Sequence, residues 1–237
     1  MPDNNSETKT SKHIRIVTNV LTTAVKLWLR SQVSQIQELE LEIKASDRQI
    51  LSGCVPSVSI FASHAVYQGI HLTKIQLVAE NIRINIGSVL KGKPLKLLET
   101  VPLVGELILS EKDLNASLSS TLLSTALNDL LLKLLPEHSQ NSKPISWDKI
   151  TLDNNKLVLY GTLTAESDPT SIEMGLGLEL LSGQQLQLSQ IQIKHNQRAL
   201  LENHHGQSID LGSDVDIQEL NTISSKLKCR GRINVNP

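Results

Sequence analysis

Aromatic side chains are nearly absent from this chain of 237 residues, which contains two tryptophans, two tyrosines and one phenylalanine. Proteins that bind single-stranded nucleic acids stack the bases on aromatic rings, so the shortage argues against such a ligand. The net charge of −1 also gives the chain no cationic field that would attract nucleic acids. We therefore expect no nucleic-acid partner. Aliphatic residues, among them 40 leucines, supply the apolar volume instead.

Cysteine is scarce as well, because Cys54 and Cys229 are the only two in the chain. Two thiols do not make a disulfide framework, and they suit a reducing compartment. The first residues lack the apolar core of a secretory signal, and charged residues interrupt the apolar stretch 14–29 too often for a membrane span. We therefore predict a cytoplasmic location without a signal peptide, with the protein either free or peripheral on a membrane.

Alternation of aliphatic and polar residues is the dominant pattern, and it is clearest in Ile70–Ile86. A period of two places successive side chains on opposite faces, so the pattern predicts β-strands with one apolar face. Further extended segments are predicted at Ile36–Lys44, Val55–Ala62, Val101–Leu109, Lys156–Leu163, Ile172–Leu180 and Leu186–Ile193.

Two segments follow a helical period instead. Residues 1–11 are predicted to be a disordered polar tail, and an amphipathic helix is predicted over about residues 13–33. A longer helix is predicted over about residues 111–135, between a capping sequence at Ser110 and the helix breaker Pro136. Its two apolar rows are Leu114, Leu118, Leu122, Ala126, Leu130, Leu134 and Leu123, Leu127, Leu131, Leu135. Strand-rich stretches flank this helix, which predicts one α+β domain over 13–237 with antiparallel sheet wrapped around a long helix.

A cationic loop and the N-terminal helix are candidate lipid contacts. Lys91, Lys93 and Lys96 alternate with leucines within 88–98, as suits an anionic lipid surface. The alternative is a solubilising loop whose leucines enter the core. The apolar stripe of the N-terminal helix includes Trp28, which is typical of an interfacial helix, but packing on the protein's own sheet explains the stripe equally well.

Residues with catalytic or metal-binding chemistry form one loose group near the C-terminus, namely Glu202, His204, His205, Asp210, Asp214 and Asp216. Adjacent histidines point to opposite sides of an extended chain, so they coordinate one metal ion poorly. We interpret the group as a solvated loop followed by a polar strand, and we predict no metal and no other cofactor. Asp47 and Arg48 are similarly predicted to lie in a polar turn between strands.

Five blocks of the sequence carry a family resemblance: Asp47–Gly53, Ala65–Leu72, Ala79–Glu99, Leu109–Leu118 and Cys229–Pro237. They resemble the LmeA-like phospholipid-binding family, in particular its branch in photosynthetic bacteria. The resemblance extends over about residues 13–237. It implies a non-enzymatic phospholipid-binding protein whose strongly curved sheet and helix are similar to half of a tubular lipid-binding module.

The apolar faces of the predicted strands and of the long helix are the candidate lipid groove, since channels for acyl chains need only aliphatic walls. The candidate groove residues are Ile75, Leu77, Ile82, Ile84, Leu118, Leu122, Ala126, Leu130, Met174, Leu176 and Leu178. We expect Lys91, Lys93 and Lys96 to contact the headgroup or a membrane surface, together with Trp28.

Two other functions remain open from the residues alone. The aliphatic faces can close into a core or into a homodimer seam, which would make the chain a structural or interaction protein without a ligand. An enzyme that uses Asp214, Asp216 and the histidines is the remaining alternative. The sequence leaves the oligomeric state and the identity of the lipid open.

Overall fold

The structure is a computed structural model that describes residues 16–135, 145–153, 156–163, 170–204, 206–223 and 225–237. It is an α+β protein with two curved antiparallel sheets, which confirms the predicted fold class. In chain order the elements are α1 (Ile16–Gln32), β1 (Glu38–Lys44), α2 (Asp47–Leu51), β2 (Cys54–Tyr67), β3 (Ile70–Arg83), α3 (Ile86–Val89), β4 (Val101–Ser110), α4 (Glu111–Ser117), α5 (Thr121–Leu134), β5 (Ile145–Asp153), β6 (Lys156–Leu163), β7 (Thr170–Ser182), β8 (Gln185–His195), β9 (Arg198–His204), β10 (Gln207–Asp210), β11 (Val215–Ile223) and β12 (Lys226–Val235).

The two sheets are formed by different parts of the chain. The first sheet has the strand order β1-β2-β3-β4-β12-β11, so the last two strands of the chain return to the sheet that the first strands began. The second sheet contains β5, β6, β7 and β8 in sequential order, and β9 and β10 pair one after the other with the remaining side of β8. Strand β11 contacts β7, which joins the two sheets.

Helix α1 is held by a carboxylate that lies outside it in the sequence. The side chain of Asp47 accepts hydrogen bonds from the backbone N–H of Val17 at 3.3 Å and of Thr18 at 3.1 Å, and from the Thr18 hydroxyl at 2.7 Å. A carboxylate at this position also complements the positive end of the helix dipole. The polar turn predicted at Asp47 lies between strands β1 and β2 as expected, but it is the short helix α2, which Asp47 begins while also anchoring α1.

The hydrogen bond from the Thr18 hydroxyl, with further bonds from the backbone of α1, holds the pKa of Asp47 below its ordinary value of 3.8. We expect Asp47→Asn to loosen α1 at neutral pH, since an amide is a weaker acceptor for these donors. Because the folded-state pKa is lowered, the stabilisation is complete above the ordinary pKa and is lost as the pH falls through the folded-state pKa. Hydrogen exchange of the α1 amides should therefore be faster in the variant at pH 7 and should converge with the wild type in acid. Asp129→Asn, at an exposed position of α5, is the control and should leave the exchange of the α1 amides unchanged both at pH 7 and in acid.

The predicted helix over 111–135 is two helices, so the prediction of one continuous helix was wrong. Helix α4 ends at Ser117, and the Ser120 side chain caps α5 by accepting a hydrogen bond from the N–H of Leu123 at 3.2 Å. This break sets the orientation of α5. Its buried side chains are Leu127, Leu131 and Leu134, whereas Leu122, which was predicted in the same row as Leu134, is 51% exposed.

Helix α4 is tied to strand β3 by side-chain hydrogen bonds. Ser110 caps the helix, as predicted, by accepting from the N–H of Asp113 at 3.1 Å. The hydroxyls of Ser110 and Thr73 both donate to the Asp113 carboxylate. Burial opposes ionisation of Asp113, but these bonds and the nearby His64 and His71 outweigh it and keep its pKa below the usual range. The start of α4 is thereby fixed on β3 by a charged group.

Two separate hydrophobic cores result from this arrangement. The first core packs α1, α2 and α3 against one end of the first sheet and contains Leu21, Ile43, Ile50, Val55, Ala79, Ile82, Ile84, Ile86 and Val101. The second core packs α4 and α5 against the second sheet and includes Leu127, Leu131, Trp147, Leu159, Met174, Leu176, Ile191 and Ile193. Several of its members are fully buried, so this core is close-packed.

Two glycines of the first sheet face each other, Gly105 in β4 and Gly231 in β12. A Cβ atom on Gly105 would overlap the carbonyl oxygen of Gln76 in the neighbouring strand, and one on Gly231 would overlap the carbonyl oxygen of Asp216. A β-bulge in β11 lies directly beside Gly231. Glycines and bulges let strands approach closely and bend, so this arrangement favours a curved sheet.

Candidate functional site

An apolar surface lies between the two cores on one face of the first sheet. We call it the apolar strip and define it by five half-buried side chains, Leu39, Ile60, Ile75, Leu77 and Leu107. The strand register places Leu39, Ala62, Ile75 and Leu107 in one row across β1, β2, β3 and β4. Ile60 and Leu77 lie opposite each other in the next row. Among the residues that the structure describes, the five side chains of the strip belong to neither core.

The strip joins the two cores along the sheet. Leu41 and Leu103 lie on the same face and pack against the first core, whereas Leu109 and Leu227 pack against the second. Helix α1 packs on β1, which is the edge strand of the sheet and carries Leu39 of the strip. The result is a continuous aliphatic face whose two ends are closed and whose centre is only half-buried.

Cys229 extends the row of Leu107 into strand β12. It is half-buried, and burial raises the pKa of its thiol. A thiol with a raised pKa stays protonated at neutral pH and is a poor nucleophile. Cys229 therefore contributes apolar surface to the edge of the strip rather than reactivity.

The opposite face of the same strands is polar. Alternation places Glu40, Gln76, Glu106 and Arg230 there, in the rows between the apolar ones. Lys228 forms an ion pair with Glu106 on this face at 2.9 Å. The face holds a shallow trough of ≈ 620 Å³ that extends from β1 to Arg230 of β12. Two exposed valines, Val78 and Val104, line the trough together with Phe61 and with charged and polar side chains.

The eleven residues predicted to form one groove lie in four places. Ile75 and Leu77 belong to the apolar strip, and Ile82 and Ile84 are buried in the first core. Leu118, Leu130, Met174, Leu176 and Leu178 lie in or against the second core. Leu122 and Ala126 are on the exposed side of α5. The structure therefore brings only Ile75 and Leu77 together on the strip.

Sequence reasoning missed Leu39, Ile60 and Leu107. Their alternation was visible in the sequence, since each lies on the apolar side of a predicted strand. The missing information was the register of two strand pairs, because β1 pairs with β2 and β3 with β4 across longer connections that do not specify it.

The cationic loop is exposed at its lysines and packed into the first core at two of its leucines. Lys91, Lys93 and Lys96 are exposed, and the loop is held by hydrogen bonds between the Asn85 side chain and the backbone of Pro94 and Lys96. Leu95 and Leu97 pack against the first core, as expected for a structural loop. Leu90 and Leu98 are 49% and 58% exposed, which a solubilising loop does not require.

Helix α1 also has two apolar sides. Leu21 and Thr18 are buried where the helix packs on the protein's own sheet. Ile16, Val20 and Leu27 form a second stripe on the opposite side and are exposed, and Trp28 is 48% exposed. Packing inward thus satisfies one side of the helix and leaves the other side apolar and accessible.

The acidic pair near the C-terminus is engaged in surface contacts. Asp216 pairs with Arg232 at 3.4 Å, and Asp214 accepts a hydrogen bond from the Asn236 side chain at 3.2 Å. The side chains of His204 and His205 lie outside the described residues. Among the side chains that are described, no three from His, Cys, Asp and Glu are grouped so that they could hold a metal ion.

The folded chain is thus an α+β protein with two closed cores and an aliphatic surface between them. The chain belongs to the LmeA-like phospholipid-binding family, whose family model matches residues 13–232. This match confirms the resemblance seen in the sequence blocks and supports lipid binding in general. No curated protein and no solved structure was found to match the chain. Within the described ranges, no helix has the length and hydropathy needed to cross a bilayer.

Proposed function

We propose that the apolar strip holds the acyl chains of a phospholipid. The supporting observation is the aliphatic row of Leu39, Ile75 and Leu107, which is continuous across the sheet yet belongs to neither core. Covering apolar surface contributes about 25 cal/mol per Å², and each buried methylene of an acyl chain contributes about 0.8 kcal/mol. About ten buried methylenes would therefore contribute about 8 kcal/mol, which is the free energy of micromolar binding.

The second core is a poorer candidate for the acyl chains. Leu159, Met174, Ile191 and Ile193 are fully buried there, and close packing leaves no space for a chain between them. The strip differs because its side chains still have accessible surface. The groove predicted on the second sheet and on the long helix is thus replaced, in this proposal, by a path along the first sheet.

We propose that the protein binds, holds or transfers the lipid without chemical conversion. The described side chains of the strip are aliphatic, and the thiol of Cys229 at its edge is protonated. Hydrolysis of a phospholipid needs an activated nucleophile or metal-bound water near the ester. The headgroup would lie beyond the aliphatic surface, whereas the exposed Lys91, Lys93 and Lys96 lie on the other side of the first core from the strip.

Adjacent residues of strand β3 test the location of the ligand. Leu77 lies on the strip, whereas Val78 is on the opposite face and 42% exposed. We expect Leu77→Gln to weaken binding of a fluorescent phosphatidylglycerol about ten-fold or more, because the ligand would cover an amide that lacks hydrogen-bond partners. Val78→Gln introduces the same side chain one residue away and should leave the affinity unchanged. Mass spectrometry of lipid extracted from the purified proteins should likewise find less bound lipid in Leu77→Gln than in Val78→Gln.

Equal affinity in the two variants and the wild type would contradict the strip as the binding surface. Loss of binding in Val78→Gln alone would place the ligand in the trough on the opposite face. Wild-type protein that carries no lipid and binds none would instead favour the structural alternative, in which the apolar faces serve only packing.

A further inference from the structure

Three segments of the chain meet at one end of the first sheet: α1 (Ile16–Gln32), the segment 45–55 around α2, and the segment 84–98 that contains α3 and the cationic loop. The Asp47 carboxylate joins the first two segments. The N–H of Ile84 donates to the carbonyl oxygen of Gly53 at 3.0 Å, and α2 contacts α3. Leu21, Ile50 and Ile86, one from each segment, are buried in the first core. We call this part of the molecule the helical end.

Exposed apolar side chains are concentrated at the helical end. Seven of the seventeen large apolar side chains that are exposed among the described residues lie in its three segments, namely Ile16, Val20, Leu27, Trp28, Leu51, Leu90 and Leu98. Three of them directly follow core residues, since Leu51 follows Ile50, Leu90 follows Val89 and Leu98 follows Leu97. The exposed leucines therefore surround the same core from outside. Apolar surface gathered in one region marks an interaction site more often than scattered residues do.

The charge of the helical end differs from that of the whole chain. Its segments carry six basic residues and one acidic residue, Asp47, whereas the chain carries 23 basic and 24 acidic residues. The basic residues are Lys26, Arg30, Arg48, Lys91, Lys93 and Lys96. The Asp47 carboxylate is occupied by hydrogen bonds from α1. The exposed leucines of the loop are thus accompanied by cations without acidic neighbours in their own segment.

We propose that the helical end docks onto an anionic lipid bilayer, with Leu90 and Leu98 as inserted anchors and Lys91, Lys93 and Lys96 at the headgroups. Apolar side chains that enter the acyl boundary, together with lysines near anionic headgroups, are the recognised elements of peripheral membrane binding. A second copy of the chain fits this surface poorly, because self-association would bring the two sets of basic residues together. The proposal does not depend on what the apolar strip holds.

Docking at this end would also orient the molecule. The first core lies between the helical end and the apolar strip, since Leu41 and Leu103 on the strip's face pack against that core. A bilayer docked at the helical end would therefore lie beyond one end of the strip, and the strands of the sheet would point toward it. Helix α1 packs beside β1 and would present its exposed Ile16, Val20 and Leu27 to the same bilayer.

Vesicle flotation tests the proposal with the full chain. Wild-type protein should float with vesicles of equal parts phosphatidylcholine and phosphatidylglycerol, and less in high salt because salt screens the lysines. It should not float with phosphatidylcholine alone. We expect K91Q/K93Q/K96Q to weaken partitioning roughly ten- to hundred-fold, since each near-surface lysine contributes to binding. L90S/L98S should also weaken it, through loss of the apolar anchors.

Matched variants control for net charge and for hydrophobicity. K112Q/K133Q/K149Q removes three exposed lysines elsewhere, and L132S/L181S removes two exposed leucines of α5 and β7. Both should float like the wild type. Wild-type protein that stays with the buffer, or controls that lose as much binding as the loop variants, would overturn the proposal. A dimer in analytical ultracentrifugation that L90S/L98S dissociates would overturn it too, by showing that a second copy covers this surface.

The result is separable from that of the strip experiment. Lipid extracted from K91Q/K93Q/K96Q should remain at the wild-type level, because the strip is unchanged. The Leu77→Gln variant should lose bound lipid and still float with anionic vesicles.

Discussion

Gly105→Ala is expected to lower the free energy of unfolding by about 3 kcal/mol, at the upper end of the cost of inserting a methyl group into a packed site. The added Cβ would overlap the backbone carbonyl oxygen of Gln76 and would lie 2.7 Å from a methyl carbon of Leu77. Rotation of a side chain cannot relieve the first overlap, because the atom belongs to the neighbouring strand. Strand β3 or β4 must move, and the sheet must flatten where it now bends.

Chemical denaturation and thermal melting measure this effect. A loss of about 3 kcal/mol corresponds to a fall in Tm of roughly 6–12 °C for a domain of this size. Gly87→Ala is the control, since a Cβ there has no atom within 4 Å. Gly87 lies in α3, so alanine should be neutral or slightly stabilising. An unchanged Tm in Gly105→Ala would show that the approach of β3 to β4 is looser than the structure indicates.

The same substitution bears on lipid binding, because Gly105 shares a row with Ile60 and Leu77 of the apolar strip. A flatter sheet would change the shape of the strip as well as the stability. If Gly105→Ala folds, we therefore expect weaker phospholipid binding than in Gly87→Ala, even though no aliphatic side chain has been removed.

Asn115→Leu is expected to destabilise the protein by about 2–5 kcal/mol, because it leaves two buried backbone groups without partners. Strand β5 is at the edge of the second sheet, and α4 lies beside it. The Asn115 side chain accepts from the N–H of Ile150 at 2.9 Å and donates to the carbonyl oxygen of Ile150 at 2.8 Å. The side chain thus does what a neighbouring strand would do, and Glu111 does the same for the N–H of Leu152.

Urea denaturation compares this variant with Lys112→Leu, which replaces an exposed polar residue of the same helix. The control should change stability by less than about 0.5 kcal/mol. Equal stabilities for the two variants would mean that water satisfies the edge of β5 as well as Asn115 does. An unpaired edge also invites pairing between chains, so Asn115→Leu should aggregate more readily than Lys112→Leu on heating.

The sequence predicted elements better than it predicted their contacts. Alternation identified the strand at Ile70–Ile86, with a difference of a few residues at its end, and the helical period identified the N-terminal helix. The helical period failed elsewhere. It failed at Ser120, where capping ends one helix and begins another, because the leucine spacing runs through the break unchanged. Local sequence also did not reveal the contact of Asp47 with α1, because that contact joins residues 29 and 30 positions apart.

The candidate site shows the same division. Ile75 and Leu77 were predicted correctly to lie on an apolar face, since period two alone determines which side chains share a side of a strand. Whether a face is filled by a core depends on which elements cover it. Met174 and Leu176 share a close-packed core with leucines of α4 and α5, whereas Ile75 and Leu107 lie between the two cores.

By itself, the sequence determined the aliphatic character of the chain, the strand and helix periods and the family, because these depend on local composition and spacing. Only the tertiary structure decided which aliphatic face is left half-buried and which loop residues remain exposed. The physical reason is that burial results from strand register and from the packing of distant elements, and neither is encoded in the period of a single segment. In the folded protein, the aliphatic residues that stand in for the scarce aromatic ones form most of two closed cores and the apolar strip between them.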